Sequence, residues 1–183
     1  MASEALDCHY SITGSGPAIF LTHGIGAAKD AWRFIVPKLS ENFTVIAYDL
    51  RGHGKSPVTH KNFGLDELVL DLERIREKTN INKGHFVGHS LGGMIAPAYA
   101  KKYPDKVLSV GMLSTVAGRS ENDSKKVWSV INEMEEKGIE KTLQKLTSRW
   151  FTDEFIANNS ELVKKRLNQV VDTDPDVFLN VFK

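Results

Sequence analysis

His85-Phe86-Val87-Gly88-His89-Ser90-Leu91-Gly92-Gly93 is the stretch that decides the fold. A short apolar run, 85–87, ends at a glycine, and a helical pattern opens at Leu91 and continues to Lys102, closed by Tyr103-Pro104. A serine held between glycines two before and two after it belongs on a tight strand-to-helix turn. The glycines permit strained backbone and close packing of helix on strand, and the hydroxyl is left beside a helix N-terminus, whose unpaired N–H groups favour developing negative charge. Ser90 is therefore the candidate nucleophile, and the competing reading is an ordinary glycine-rich turn. Pro97 lies inside this helix and removes one backbone bond, so a kink is expected there.

The surroundings repeat the strand–helix alternation. Residues 8–12, turned at Gly14-Ser15-Gly16, read as a strand, followed by Ala18–Thr22, Thr44–Tyr48, 85–87 and Val107–Leu113. The last four are near-continuous apolar runs, as expected of strands covered on both faces. Helices are expected over 31–39, 65–79 and Leu91–Lys102, the middle one carrying Leu65, Leu68, Val69, Leu72 and Ile75 as a stripe at three- and four-residue spacing. This order predicts an α/β fold with a predominantly parallel sheet and helices on both faces.

Near residue 116 the texture changes. Residues 117–183 read as helices only. One carries Val127, Val130, Ile131 and Met134, with Asp123 or Ser124 as its expected cap and Gly138 as its stop. A second carries Ile139, Leu143, Leu146 and Trp150. A third opens near Ser160, and a fourth starts at Thr173-Asp174-Pro175. The division is 1–116 for the α/β core and 117–183 for a helical cap.

Two further motifs follow strands. His23-Gly24-Ile25-Gly26 leaves Ala18–Thr22. Acyl transfer needs two fixed N–H donors for its oxyanion, and the backbones of Ile25 and of Leu91, the residue after the nucleophile, are placed to supply them. A nucleotide loop is the rival, but its third glycine would fall at Lys29 and no Lys-Ser/Thr pair follows. Asp49-Leu50-Arg51-Gly52-His53-Gly54-Lys55-Ser56 leaves Thr44–Tyr48. There Asp49 and Arg51 are expected to brace a loop by ion pair and hydrogen bonds, and His53 to be a positioned loop histidine.

These three motifs, in this order, resemble the α/β-hydrolase superfamily, in its capped serine-hydrolase branch. The resemblance implies Ser90 as nucleophile, Ile25 and Leu91 N–H as oxyanion hole and His23 in the site floor; His89 is a further candidate for the pocket. Trp128, Arg149-Trp150-Phe151-Thr152 and Asp174-Pro175-Asp176-Val177-Phe178 are similar to 3-oxoadipate enol-lactonases, which implies a small ester or lactone as substrate. Trp128 and Trp150 are then possible pocket residues, although packing within the cap is the plainer expectation for both. Related chemistries on the same turn are carboxylesterase, thioesterase and carbon–carbon bond hydrolysis. Dehalogenases and epoxide hydrolases of this fold carry an aspartate where Ser90 stands.

The family order is serine, then acid, then histidine. All six histidines (His9, His23, His53, His60, His85 and His89) precede Ser90. The triad acid and histidine are thus expected outside this chain, as are the last strands, so the chain reads as a fragment with little activity. An unorthodox base such as His23, or a non-catalytic binding remnant, are the alternatives. Val107–Leu113 would then be an uncovered sheet edge open to self-association.

Composition sets outer limits. The chain has 183 residues, 41% of them apolar and 26% charged, and a net charge of +1. That excludes a charge-driven nucleic-acid or membrane-surface binder. Cys8 is the lone cysteine, which excludes an internal disulfide and a thiolate metal cluster. His85 and His89 lack the following glutamate of a zinc-protease helix, and no cofactor or metal motif occurs. The apolar runs are too short to span a bilayer, and no signal-peptide pattern opens the chain, which reads as cytoplasmic.

Overall fold

The computed structural model describes residues 4–183; the first three residues of the expected 1–116 core lie outside the described residues. The chain divides into two compact units, one reaching Ala117 and one spanning Gly118–Lys183.

The first unit is built on a five-stranded sheet. Its strands are β1 (Tyr10–Thr13), β2 (Ala18–Thr22), β3 (Thr44–Tyr48), β4 (Gly84–His89) and β5 (Val107–Leu113), in the spatial order β1-β3-β2-β4-β5. Only β1 runs antiparallel, against β3; the β3–β2, β2–β4 and β4–β5 pairs are parallel. Strand side chains alternate between faces, and the core divides accordingly. On one face Ile19, Leu21, Val45 and Ala47 pack with Trp32, Val36 and Leu39. On the other, Phe20 stacks on Phe86 at 4.8 Å between ring centroids and Phe86 meets Tyr99 at 4.3 Å.

The helices are α1 (Val36–Leu39), α2 (Leu65–Lys78) and α3 (Leu91–Lys102). The expected helix over 31–39 is split into a 3₁₀ turn, Lys29–Trp32, and the single turn of α1. Pro37 explains the break, since it has no N–H to bond the turn before it. In α2 the stripe is buried at Leu68, Val69, Leu72 and Ile75, while Leu65 at the entrance is exposed. The helix opens with the Glu67 carboxylate accepting the Gly64 N–H at 2.8 Å. Helix α3 continues through Pro97 to Lys102.

Strand β5 meets the expectation of an uncovered edge and departs from that of cover on both faces. It pairs with β4 alone among the described residues, and Leu108, Val110, Met112 and Leu113 are exposed rather than covered.

The second unit is helical: α4 (Glu121–Lys137), α5 (Ile139–Trp150), α6 (Asp153–Asn158), α7 (Ser160–Val171) and α8 (Pro175–Phe182). Its buried residues include Ile131, Met134, Leu143, Leu146, Val163, Val170, Val177 and Phe178. The cap of α4 is Ser120, not Asp123 or Ser124. The Ser120 hydroxyl accepts the Asp123 N–H and donates to the Asp123 carboxylate, so Asp123 is the third helical residue of a reciprocal cap. Helix α6, not anticipated, is opened by Thr152, whose hydroxyl accepts the Phe155 N–H. No described helix is long and apolar enough to cross a membrane.

Candidate active site

Strand β4 delivers the chain to Ser90 in a conformation that L-residues rarely hold, φ 54° and ψ −115°. Such backbone persists only where its surroundings over-determine it. A Cβ on Gly88 would lie 1.9 Å from the Gly92 carbonyl oxygen, and one on Gly92 would lie 2.2 Å from that of Thr22. Both flanking glycines are therefore sterically required, and the tight approach of α3 to β2 and β4 is what they allow. The Ser90 N–H donates to the Leu113 carbonyl at 2.9 Å, tying the turn to the end of β5.

Ser90 stands at the N-cap of α3, yet its side chain makes no capping bond. A serine there ordinarily gives its oxygen to the first turn. The positive φ turns the hydroxyl away from that duty. Leu91 opens the helix, so its N–H has no acceptor one turn earlier within α3.

The loop after β2 lies against this turn. A Cβ on Gly24 would stand 3.0 Å from the Ser90 Cβ and 3.3 Å from His89 Nδ1, so only glycine lets the loop come this close. Gly26 has φ +59°, and the Ala27 N–H donates to the Gly24 carbonyl at 3.3 Å. Ile25, half-buried, is the residue between them.

His23 is fully buried. Its Nε2 accepts the Leu50 N–H at 2.9 Å, which leaves the proton on Nδ1, 2.7 Å from the Gly24 carbonyl, as donor. Both ring nitrogens are thus committed to backbone, and the expectation of His23 as an unorthodox base is corrected: it is a strut between two loops. His53 Nδ1 likewise donates to the Arg51 carbonyl. His9 contacts Asp49 and His85 contacts Ser109. His89 is exposed on the strand end beside Ser90.

Asp49 anchors the loop from the other end. Its carboxylate accepts the Lys29 N–H at 2.7 Å and the Lys55 N–H at 3.1 Å, and meets His9 Nδ1 at 3.0 Å. Burial opposes its ionisation, but these donors together outweigh burial and hold the carboxyl below its ordinary value of 3.8. Arg51 makes a separate brace, bidentate to Asp71, its Nε and Nη2 each donating to one carboxylate oxygen at 2.7 Å. The expectation that Asp49 and Arg51 brace their loop holds, through different partners. Cys8 is buried, and burial above all, with the Asp71 charge nearby, pushes its thiol up to about 12, so it is no nucleophile at neutral pH.

Trp128 and Trp150 belong to the second unit. Trp128 is 49% exposed rather than packed in its core, and Trp150 is half-buried with the Arg166 guanidinium 5.1 Å from its ring. Among the described residues no group of three or more His, Cys, Asp or Glu side chains could hold a metal ion. Thr115 was absent from the candidates. Its hydroxyl donates to the Ser90 carbonyl at 2.7 Å, and nothing in its local sequence signals that contact.

Residues 17–167 match the model of the alpha/beta hydrolase fold family, and the chain belongs to that family. It is 30% identical over 167 residues to 3-oxoadipate enol-lactonase 1 of Acinetobacter baylyi, covering 91% of this chain and 61% of that one. Over a shorter stretch of 110 residues it is 34% identical to a fluoroacetate dehalogenase from Burkholderia sp, covering 57% of this chain and 36% of that one. Among solved structures, the enol-lactonase from Burkholderia xenovorans LB400 superposes with a TM-score of 0.86 at 24% identity, covering 97% of this chain and 70% of that one. A thermophilic esterase from Thermogutta terrifontis gives 0.84 at 23% identity, with 94% and 64% covered. The chain thus spans 61% of the length of the curated enol-lactonase and 36% of that of the dehalogenase, less than two thirds of either.

Proposed function

We propose that this chain carries the nucleophilic half of a serine hydrolase acting on small carboxylic esters or lactones, with an enol-lactone as the preferred substrate class. The observation that carries the reading is Ser90 itself: a serine at φ 54° between two sterically obligatory glycines, at a helix N-terminus it does not cap. Strain of this kind, with the hydroxyl withheld from the local backbone, serves a nucleophile.

In the reaction, Ser90 Oγ bonds to the substrate carbonyl carbon as its proton passes to a base. The carbonyl oxygen becomes an oxyanion held by the N–H groups of Leu91 and Ile25. Collapse of this intermediate breaks the bond to the leaving oxygen, which takes up a proton. Water then repeats the sequence on the acyl-enzyme and frees Ser90. In a lactone the leaving oxygen stays tethered to the acyl group. We place the base and its carboxylate partner outside these 183 residues, since the family order sets both after the serine and no histidine follows Ser90 here, while His9, His23, His53 and His85 hold contacts away from Ser90. Losing the histidine of such a triad lowers turnover on the order of a millionfold, so the chain by itself is slow. The similarity to an enol-lactonase over most of the chain favours a lactone over a simple ester.

A fluorophosphonate probe tests the assignment. Mass addition at Ser90 in a form extended downstream, abolished by Ser90→Ala, is the expected result. Silence of that form toward the probe overturns the catalytic reading and leaves a binding protein. Faster turnover of an enol-lactone than of a nitrophenyl ester separates the lactonase from a general esterase.

A further inference from the structure

The peptide between Ser90 and Leu91 has two working ends. Its N–H is the Leu91 donor that the proposed reaction uses. Its carbonyl oxygen, on Ser90, accepts two hydrogen bonds, one from the Gly93 N–H at 2.9 Å and one from the Thr115 hydroxyl at 2.7 Å. The first comes with the helix. The second comes from a residue 25 positions away, just beyond β5.

Several features converge to make that second bond. Ser114 turns the chain at φ 45°, directing Thr115 back toward α3. Gly93 provides the space, since a Cβ there would stand 2.6 Å from the Thr115 Cβ. The second glycine of the Gly92-Gly93 pair is thereby accounted for, although the nucleophile turn needs only the first. The neighbouring Leu113 carbonyl takes the Ser90 N–H, so segment 113–115 holds Ser90 at both its N–H and its carbonyl.

A peptide unit is planar, so fixing its oxygen fixes the direction of its N–H. A hydrogen bond received at the oxygen also polarises the amide and strengthens the N–H as a donor. We propose that Thr115 is a positioning residue of the oxyanion site: its hydroxyl orients and polarises the Ser90–Leu91 peptide so that the Leu91 N–H meets the developing oxyanion. This deepens the serine-hydrolase reading and rests on it.

The test compares Thr115→Val, which keeps the shape and removes the hydroxyl, with Thr115→Ser, which keeps the hydroxyl. Two quantities are read on the full chain: the Leu91 amide proton shift by NMR, and the rate of Ser90 phosphonylation by a fluorophosphonate, resolved into probe affinity and covalent step. Losing a whole oxyanion donor lowers rates roughly a hundred- to a thousandfold. Losing the bond behind one donor is expected to slow the covalent step by roughly three- to tenfold, with probe affinity unchanged. The Leu91 proton moves upfield in T115V, and T115S returns both quantities to near the unsubstituted values.

An unmoved Leu91 proton, labelling by T115V at the unsubstituted rate, or T115S as slow as T115V overturns the proposal. If T115V does not fold, Thr115→Ala takes its place in both measurements. If the unsubstituted chain labels too slowly to measure, as the absence of its base predicts, the amide shift alone decides, and the nucleophile reading is tested separately on the form extended downstream. A Leu91 proton that moves in T115V and returns in T115S then upholds the grip, and one that stays removes it.

Discussion

Replacing Gly88 by alanine would set a methyl carbon 1.9 Å from the Gly92 carbonyl oxygen, and Gly92→Ala would set one 2.2 Å from the Thr22 carbonyl oxygen. Neither obstacle is the yielding end of a side chain; each is backbone in the middle of the sheet–helix junction. We expect either substitution to destabilise the first unit by about 3 kcal/mol, the upper range for overpacking, read as a lowered urea midpoint. Gly93→Ala would set its methyl 2.6 Å from the Thr115 Cβ, which moves only with its own backbone, so it should displace segment 113–115 and break the Thr115 bond. His23→Ala leaves the buried Leu50 N–H without its acceptor and should cost about 1–3 kcal/mol. The glycine and serine positions were legible because strain must be written into the residues that bear it. The role of His23 was only half legible: sequence put it beside the turn, but a ring with two nitrogens reads as a possible base until both partners are seen. Thr115 was not legible at all, because its partner is joined through the sheet rather than along the chain.

Between elements, Asp49 sets how the loop after β2 is held, since it grips Lys29 N–H at one end while His23 braces the other. Its carboxyl lies below 3.8 in the folded chain, despite burial, because Lys29, Lys55 and His9 favour the charged form. A depressed folded value means the ionised form stabilises the fold. That contribution is complete above the unfolded-state value near 3.8 and is lost as pH falls through the lower folded value. Asp49→Asn should therefore cost about 2 kcal/mol near neutral pH, from weakened charge-assisted bonds. Melting curves of the two proteins should then converge as pH drops below about 4; a gap independent of pH would show that the charge is immaterial. Glu73, held low by Arg76 and Tyr99 against its own burial, keeps an acid slope in both proteins. That Asp49 would brace a loop could be read from a carboxylate leaving a strand among glycines. Which N–H groups it serves depended on two loops meeting, and helix α6 escaped because it is only six residues long, and short helices declare themselves by caps more than by periodicity.

For the molecule as a whole, the alternation of strands and helices was enough to anticipate the parallel sheet, because each buried strand carries an unbroken apolar run. The same rule misjudged β5. Its run is as apolar as those of β2 and β3, yet Leu108 is 54% exposed and Val110 and Met112, two and four residues on, project from the same face. Apolar composition records what a strand is suited to lie against and carries no information on whether the neighbour is part of the same 183 residues. An edge of this kind, seven residues long, apolar and without a charge, is a template for unplanned strand pairing. Lysine at Leu108 should interrupt it without disturbing the β4 register, since the residue opposite Gly84 is Val107 and that opposite His85 is Ser109. We expect Leu108→Lys to raise the protein concentration at which light scattering begins while leaving the urea midpoint within about 0.5 kcal/mol, as for an exposed position. Equal scattering from both proteins would mean that the edge does not drive association and that β5 is adequately guarded by its own twist.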